Sequence, residues 1–317
     1  MQNKIFSCKL KILIIVIIFS IIFGSIVLYF LEEKCCSKQK AKNDEILNVK
    51  TNEVNVNSSI IEKRSEPISR EEEEENIKIH REREITYQGP LMYNDKSIPI
   101  LMYHSVEYVE EEPNNILRVP KEKFIEQMKF LKDNGYTTLS MAELYAFFKD
   151  NLPVPKKSVV LTFDDGYEDN YKNALPVIKE FGLKATVFVV TDWVGTNNSY
   201  MTIPQLKEMD ANGFEVQCHT LAHKELDKLT YEQQLKDLKE SKEFMERNLN
   251  KKVTTICYPI GKFNKNTIKA AEEAGYLMGI KMVGGWANKN DGMYTINRVF
   301  VSAKDTIKQF EAKIREK

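Results

Sequence analysis

Apolar and polar positions fall into three regimes along this chain. Lys4, Lys9 and Lys11 lead into an uncharged apolar run from Ile12 to Leu31, which Glu32, Glu33 and Lys34 end abruptly. About 20 apolar residues at 1.5 Å rise span roughly 30 Å, the thickness of a bilayer's hydrocarbon core. Residues 12–31 therefore predict a transmembrane helix, and the basic flank predicts residues 1–11 on the cytoplasmic side with the remainder outside. A cleaved export signal is the alternative and would make the protein secreted. The run, however, is longer than the apolar part of most such signals, and no small-x-small site follows it. Residues 32–90 are rich in Lys, Glu, Asn and Ser and include five consecutive glutamates, 71–75. Their few aliphatic positions have no sustained period, which predicts a disordered, charged linker with His80 in solvent.

From Leu91 to Lys317 the period alternates between strand-like and helix-like. Strands are expected over Ile98–Tyr103, Ser158–Phe163, Ala185–Val190, Phe214–Cys218, Val253–Cys257, Tyr276–Met282 and Tyr294–Val299. Helices are expected over Lys121–Asn134, Met141–Lys149, Asn170–Phe181, Pro204–Asn212, Thr230–Asn248 and Asn266–Ala274. Elements taking turns in this way predict an α/β domain over 91–317, built as a parallel (β/α) barrel. In such a barrel the chemistry belongs at the C-terminal ends of the strands.

Composition narrows the function. The 317 residues carry 46 Lys plus Arg against 46 Asp plus Glu, which argues against a nucleic-acid binder. Five cysteines are too few for a disulfide scaffold. The polar motifs do fall at strand ends. Thr162-Phe-Asp-Asp-Gly166 closes an apolar strand with two adjacent carboxylates, Asp164 and Asp165. Burying both calls for a nearby cation or many donors, although a capping turn would use the same residues. His219-Thr-Leu-Ala-His223 also follows a strand and holds two of the chain's four histidines. A helical turn would put both rings on one face, able to chelate one ion; a surface and a core histidine would be the bland alternative. Together the two motifs suggest a two-His, one-carboxylate metal site with open positions. Ile256-Cys-Tyr-Pro-Ile-Gly-Lys262 is either a pocket wall presenting backbone N–H groups or a plain strand exit.

In this order, Thr162–Gly166, His219–His223 and Tyr258–Gly261 resemble the first three motifs of the polysaccharide deacetylases of carbohydrate esterase family four, the NodB-homology domain. Tyr167–Tyr171 and Gly182–Phe188 extend the resemblance, which covers roughly residues 97–300. It implies a distorted (β/α) barrel that removes N-acetyl groups from N-acetylglucosamine polymers with a divalent metal. It further implies Asp165, His219 and His223 as metal ligands and Asp164 as catalytic base. Pro99-Ile-Leu-Met-Tyr-His104 is similar to the branch acting on poly-N-acetylglucosamine exopolysaccharide, which implies His104 as general acid. Its alternative is a packed, hydrogen-bonded histidine. Tyr258, Pro259 and Ile260, with a backbone N–H near Ile260, are expected around the oxyanion, and Trp286 is expected as an aromatic groove wall. The chain departs from the family pattern at Cys257, where an arginine orienting the base is usual, at Cys218 in place of a serine, and in having no histidine after His223.

Zn²⁺ suits this ligand set, and Co²⁺ and Ni²⁺ fit it too. The expected partners are an N-acetylglucosamine polysaccharide (peptidoglycan or poly-N-acetylglucosamine) and, through the N-terminal helix, a membrane, with no nucleic acid. A different metal-dependent amidohydrolase and a catalytically silent glycan-binding protein are the rival readings.

Overall fold

The computed structural model describes residue 87 and residues 89–315 except 283. In chain order the strands are β1 (Leu91–Met92), β2 (Ile100–Tyr103), β3 (Thr137–Thr138), β4 (Val154–Pro155), β5 (Ser158–Phe163), β6 (Ala185–Val189), β7 (Phe214–Cys218), β8 (Thr255–Cys257), β9 (Met278–Ile280) and β10 (Val299–Phe300). The helices are α1 (Lys121–Asp133), α2 (Met141–Asp150), α3 (Leu175–Phe181), α4 (Ile203–Asp210), α5 (Tyr231–Leu249), α6 (Lys265–Glu273) and α7 (Ile307–Ile314).

Local chemistry sets these boundaries. Capping boxes open α2 at Ser140 and Glu143, α5 at Thr230 and Gln233, and α7 at Thr306 and Gln309, each pair satisfying two backbone donors reciprocally. Helix α3 ends at Gly182, which adopts the left-handed conformation (φ 63°) that stops a helix at little steric cost. The expected helix over Asn170–Phe181 begins instead as a wide π-type turn, Asn170–Ala174. Two of its asparagines are engaged with the β2 exit: Asn170 Nδ2 donates to the His104 carbonyl and Asn173 Nδ2 to that of Val106.

The main sheet runs β10-β2-β5-β6-β7-β8-β9, with β3 beside β5, and every pair in it is parallel. Closure is slight. Ile296 bridges Ile280 of β9, and three residues later β10 pairs with β2, so one short segment spans both sheet edges. The (β/α) barrel is therefore present but distorted. Alternation along the strands divides the core in two. Ile100, Val160, Phe188, Cys257, Met278 and Ile280 pack in one cluster inside the barrel, whereas Leu101, Val159, Leu161, Val187, Val189 and Ile256 pack outward with the helices.

The expectation of a barrel preceded by a transmembrane helix is corrected: the structure describes the barrel and no such helix. Among the described residues no helix is long and apolar enough to cross a membrane. The longest, α5, has 19 residues and is studded with Lys, Glu and Asp. The run at 12–31, the linker it precedes and His80 lie outside the described residues. The membrane partner, single-pass topology and extracytoplasmic placement read from that run are withdrawn with it.

Candidate active site

The polar motifs meet at the C-terminal ends of β5, β7 and β8. After β5 the chain turns sharply: Asp165 and Gly166 both have positive φ, 76° and 81°. A Cβ at Gly166 would lie 3.2 Å from a Val189 methyl, so the position is tight as well as left-handed. After β7, His219 continues the pairing by donating its N–H to the Val189 carbonyl at 2.8 Å. The next four residues form a loop rather than the helical turn envisaged for His-x-x-x-His, since Thr220 (φ 69°) and His223 (φ 54°) are left-handed. Thr220 Oγ1 accepts the His223 N–H at 3.2 Å, and Asp237 of α5 accepts the Leu221 N–H at 2.9 Å. Of six described non-glycine residues with positive φ, Asn151 and Asn250 cap helices and the other four, Asp165, Thr220, His223 and Ile260, lie in these motifs. Backbone strain is thus concentrated at the site, at about 1–3 kcal/mol per residue.

Asp165, His219 and His223 come together. Both imidazole Nε2 atoms lie 3.4 Å from the same oxygen, Asp165 Oδ1, which is buried with no hydrogen-bond partner. Two donors about 2.1 Å from one tetrahedral ion are about 3.4 Å apart, so the spacing suits a shared cation. The tautomer suits it as well. His219 Nδ1 lies 2.8 Å from the Cys257 carbonyl and must donate to it, leaving Nε2 to face the carboxylate. Burial disfavours a charge on His219, but Cys257 and Asp165 outweigh it and raise the pKa well above the ordinary imidazole value. Burial and the His219 charge lower that of His223. Protons and a metal would compete for this pocket. The donor set fits a divalent cation.

Asp164 belongs to a different environment. Arg298, 1% exposed, grips it with two bonds of 2.7 Å, Nη1 to Oδ1 and Nη2 to Oδ2. The guanidinium also donates to the Lys281 carbonyl (2.9 Å) and Thr162 Oγ1 (3.1 Å), and its Nη2 lies 3.1 Å from Cys257 Sγ. Burial pushes the Asp164 carboxyl up, yet the Arg298 charge and hydrogen bonds hold it well below the usual carboxylate range. Sequence reasoning missed Arg298. The arginine that engages Asp164 thus comes from the segment that closes the barrel and not from position 257, where the small buried thiol of Cys257 sits against it.

His104, at the end of β2, approaches this pair: its Nε2 is 4.0 Å from Asp164 Oδ2, and its buried Nδ1 has no hydrogen-bond partner. Burial lowers its pKa, against the pull of Asp164 and Asp165. Asp164, His219 and Cys257 also lie close enough to ligate an ion. Both Asp164 oxygens are engaged by Arg298, however, and burial raises the Cys257 pKa, so this grouping holds its own charge balance without a metal. Cys218 and Cys257 are free, buried thiols.

The remaining sequence candidates diverge. Tyr258 is 1% exposed and packs outward, stacked on Phe263, with its N–H given to the Ile280 carbonyl. Pro259 is buried, while Ile260 is left-handed (φ 57°) and 51% exposed. Trp286 is not gathered in. Its indole N–H donates to the Lys313 carbonyl, and it lines a cavity with Pro99 and Ser158, at the N-terminal ends of β2 and β5 and thus the opposite rim.

Residues 151–279 match the family profile described as polysaccharide deacetylase. The chain is 42% identical over 205 residues to YxkH of Bacillus subtilis (strain 168), whose name assigns it provisionally as a polysaccharide deacetylase; the match covers 65% of this chain and 71% of that one. It is 29% identical over 236 residues to the poly-beta-1,6-N-acetyl-D-glucosamine N-deacetylase of Staphylococcus aureus (strain N315), covering 67% and 81%. Among solved structures, the Streptococcus pyogenes deacetylase PplD in complex with acetate superposes with a TM-score of 0.67 at 32% identity, over 70% of this chain and 99% of that one.

Proposed function

The chain belongs to the polysaccharide deacetylase family, and from that premise we propose that it removes N-acetyl groups from the N-acetylglucosamine units of a polysaccharide, releasing acetate. It is a metal-dependent hydrolase of the carbohydrate esterase family four type, acting on an acetylated polysaccharide. One observation carries the finer reading: two imidazoles share one carboxylate oxygen beside a second, separately neutralised carboxylate. Poly-N-acetylglucosamine is the polymer we favour, because the likeness to the staphylococcal enzyme extends across 81% of that protein.

Asp165, His219 and His223 would hold the divalent ion, for which Zn²⁺ is our choice because two borderline imidazoles with one carboxylate suit it. When bound, such an ion polarises the acetamide carbonyl and acidifies water. The protein's own groups move the protons. Asp164, kept ionised by Arg298, takes a proton from the attacking water as the new C–O bond forms. Because Arg298 makes Asp164 a weak holder of that proton, it is relayed to His104, whose Nε2 lies 4.0 Å away, once bound substrate draws the pair to hydrogen-bond distance. His104 gives it to the sugar nitrogen as the C–N bond breaks, and acetate and a free amine leave. The N–H of Ile260 is the candidate donor to the oxyanion.

The test is acetate release by the purified full chain from poly-N-acetylglucosamine and from peptidoglycan, with chelator and Zn²⁺, Co²⁺ or Ni²⁺ add-back. Metal-restored release from the first polymer is expected. Release from peptidoglycan alone would reassign the polymer, and no release from either would end the deacetylase reading.

A further inference from the structure

A column of four rings rises beside the metal triad. Tyr167 and Tyr200 stack at 5.6 Å, Tyr200 and Trp193 meet at 4.8 Å, and Trp193 stacks on His223 at 5.3 Å with planes 29° apart. The backbone holds both ends of the column. Thr191 and Asp192 donate their N–H groups to the carbonyls of Thr220 and Leu221, which ties the turn bearing Trp193 to the loop bearing His223. Met201 and Glu168 exchange similar bonds across to Gly166 and Ser199, and Tyr167 bridges Tyr200, which ties the far end to the loop bearing Asp165. The column thus spans the two loops that supply all three proposed ligands. The two histidines are held differently. His219 is buried and its Nδ1 is fixed by the Cys257 carbonyl, whereas His223 is partly exposed, sits on strained backbone and lies face-on to an indole.

We propose that Trp193 is a positioning residue for His223: its indole, backed by Tyr200, keeps the imidazole turned toward Asp165. The proposal rests on His223 being a metal ligand. An unsupported ring would sample rotamers that carry Nε2 away from Asp165, and metal binding would then have to restore the order. Loss of such support typically costs 10- to 100-fold in metal affinity.

The experiment measures Co²⁺ affinity of the full chain by titration, alongside kcat. Trp193→Ala should weaken Co²⁺ binding about 10- to 100-fold, with kcat at saturating Co²⁺ largely recovered. Trp193→Phe should recover most of the affinity, since a phenyl ring still stacks. Unchanged affinity in Trp193→Ala overturns the proposal. A separate arm leaves Trp193 intact: the chain has two tryptophans, so in Trp286→Phe the indole at 193 is the only one. Co²⁺ should quench its fluorescence with the same dissociation constant as the titration. Absence of quenching overturns the proposal even if the alanine variant does not fold. His223→Ala separates the two readings, because wild-type Co²⁺ affinity in that variant removes the ligand assignment itself and not merely its support.

Discussion

Asp164 and Asp165 are neighbours in the chain with opposite surroundings, and that contrast sets what each variant should do. Asp165 keeps a bare oxygen between two imidazoles, so Asp165→Ala should lose Co²⁺ binding and activity together. Asp164 is saturated by Arg298, so Asp164→Asn should keep the metal while acetate release falls about 10²- to 10⁴-fold. Arg298 is the more revealing target. Arg298→Met removes the charge that opposes burial, so the Asp164 pKa rises and the acidic limb of the kcat/KM profile moves to higher pH. The same change leaves a buried carboxylate alone, at a cost of about 3–5 kcal/mol in stability. A pH profile and a denaturant titration of one variant check both effects.

At the scale of elements, the loops around the site are anchored by carboxylates that burial makes reluctant to ionise. Asp169 accepts the Val106 N–H at 2.7 Å and so fixes the exit of β2; Asp237 on α5 accepts the Leu221 N–H and fixes the histidine loop. Burial pushes each carboxyl up to about 6, against the lowering effect of these bonds. A carboxyl raised by folding stabilises fully below its unfolded value near 4 and loses that contribution as pH rises through about 6. Unfolding free energy should therefore decline between about pH 4 and pH 7, by on the order of 2 kcal/mol per group. Asp237→Asn keeps an acceptor for Leu221 without the charge, so denaturant midpoints across that range should flatten in this variant. Tight packing between β8 and β9 gives a second check. A Cβ at Gly279 would meet the Tyr258 hydroxyl at 2.1 Å and the Tyr294 carbonyl at 2.8 Å. Gly279→Ala should cost about 1–3 kcal/mol in stability, read by thermal melting.

For the molecule as a whole, the metal should be a stabiliser as well as a reagent. An ion at 100 times its dissociation constant adds about 2.7 kcal/mol, so chelation should lower the melting temperature, and His223→Ala should erase the difference. Much of this architecture was legible in advance. Ser158–Phe163 and Phe214–Cys218 appear as strands with the boundaries expected, because short aliphatic runs ending in polar residues specify parallel strands buried on both faces. The short motifs around Asp164 and His219 were legible because each sits within a few residues of one strand end. Arg298 was not. It is 134 residues from the carboxylate it grips, and nothing in its own neighbourhood marks it. Tyr258 faces away from the site for a related reason: strand alternation turns Cys257 inward, so the next side chain faces the helices. A Gly-Trp pair likewise gives no clue to which rim its indole occupies. Helix α7 went unread although Thr306 and Gln309 form a capping signature.

The slender seam between β9 and β2 has a consequence for how the molecule comes into being. A ribosome delivers the double aspartate and the two site histidines well before residue 298, so the carboxylate of Asp164 is made long before its counter-charge. The clamp on Asp164 is then completed only when the final stretch slots into the gap, and a nicked polypeptide ending before Arg298 loses the β10–β2 pairing as well as the counter-charge, so it should release acetate more slowly than Arg298→Met.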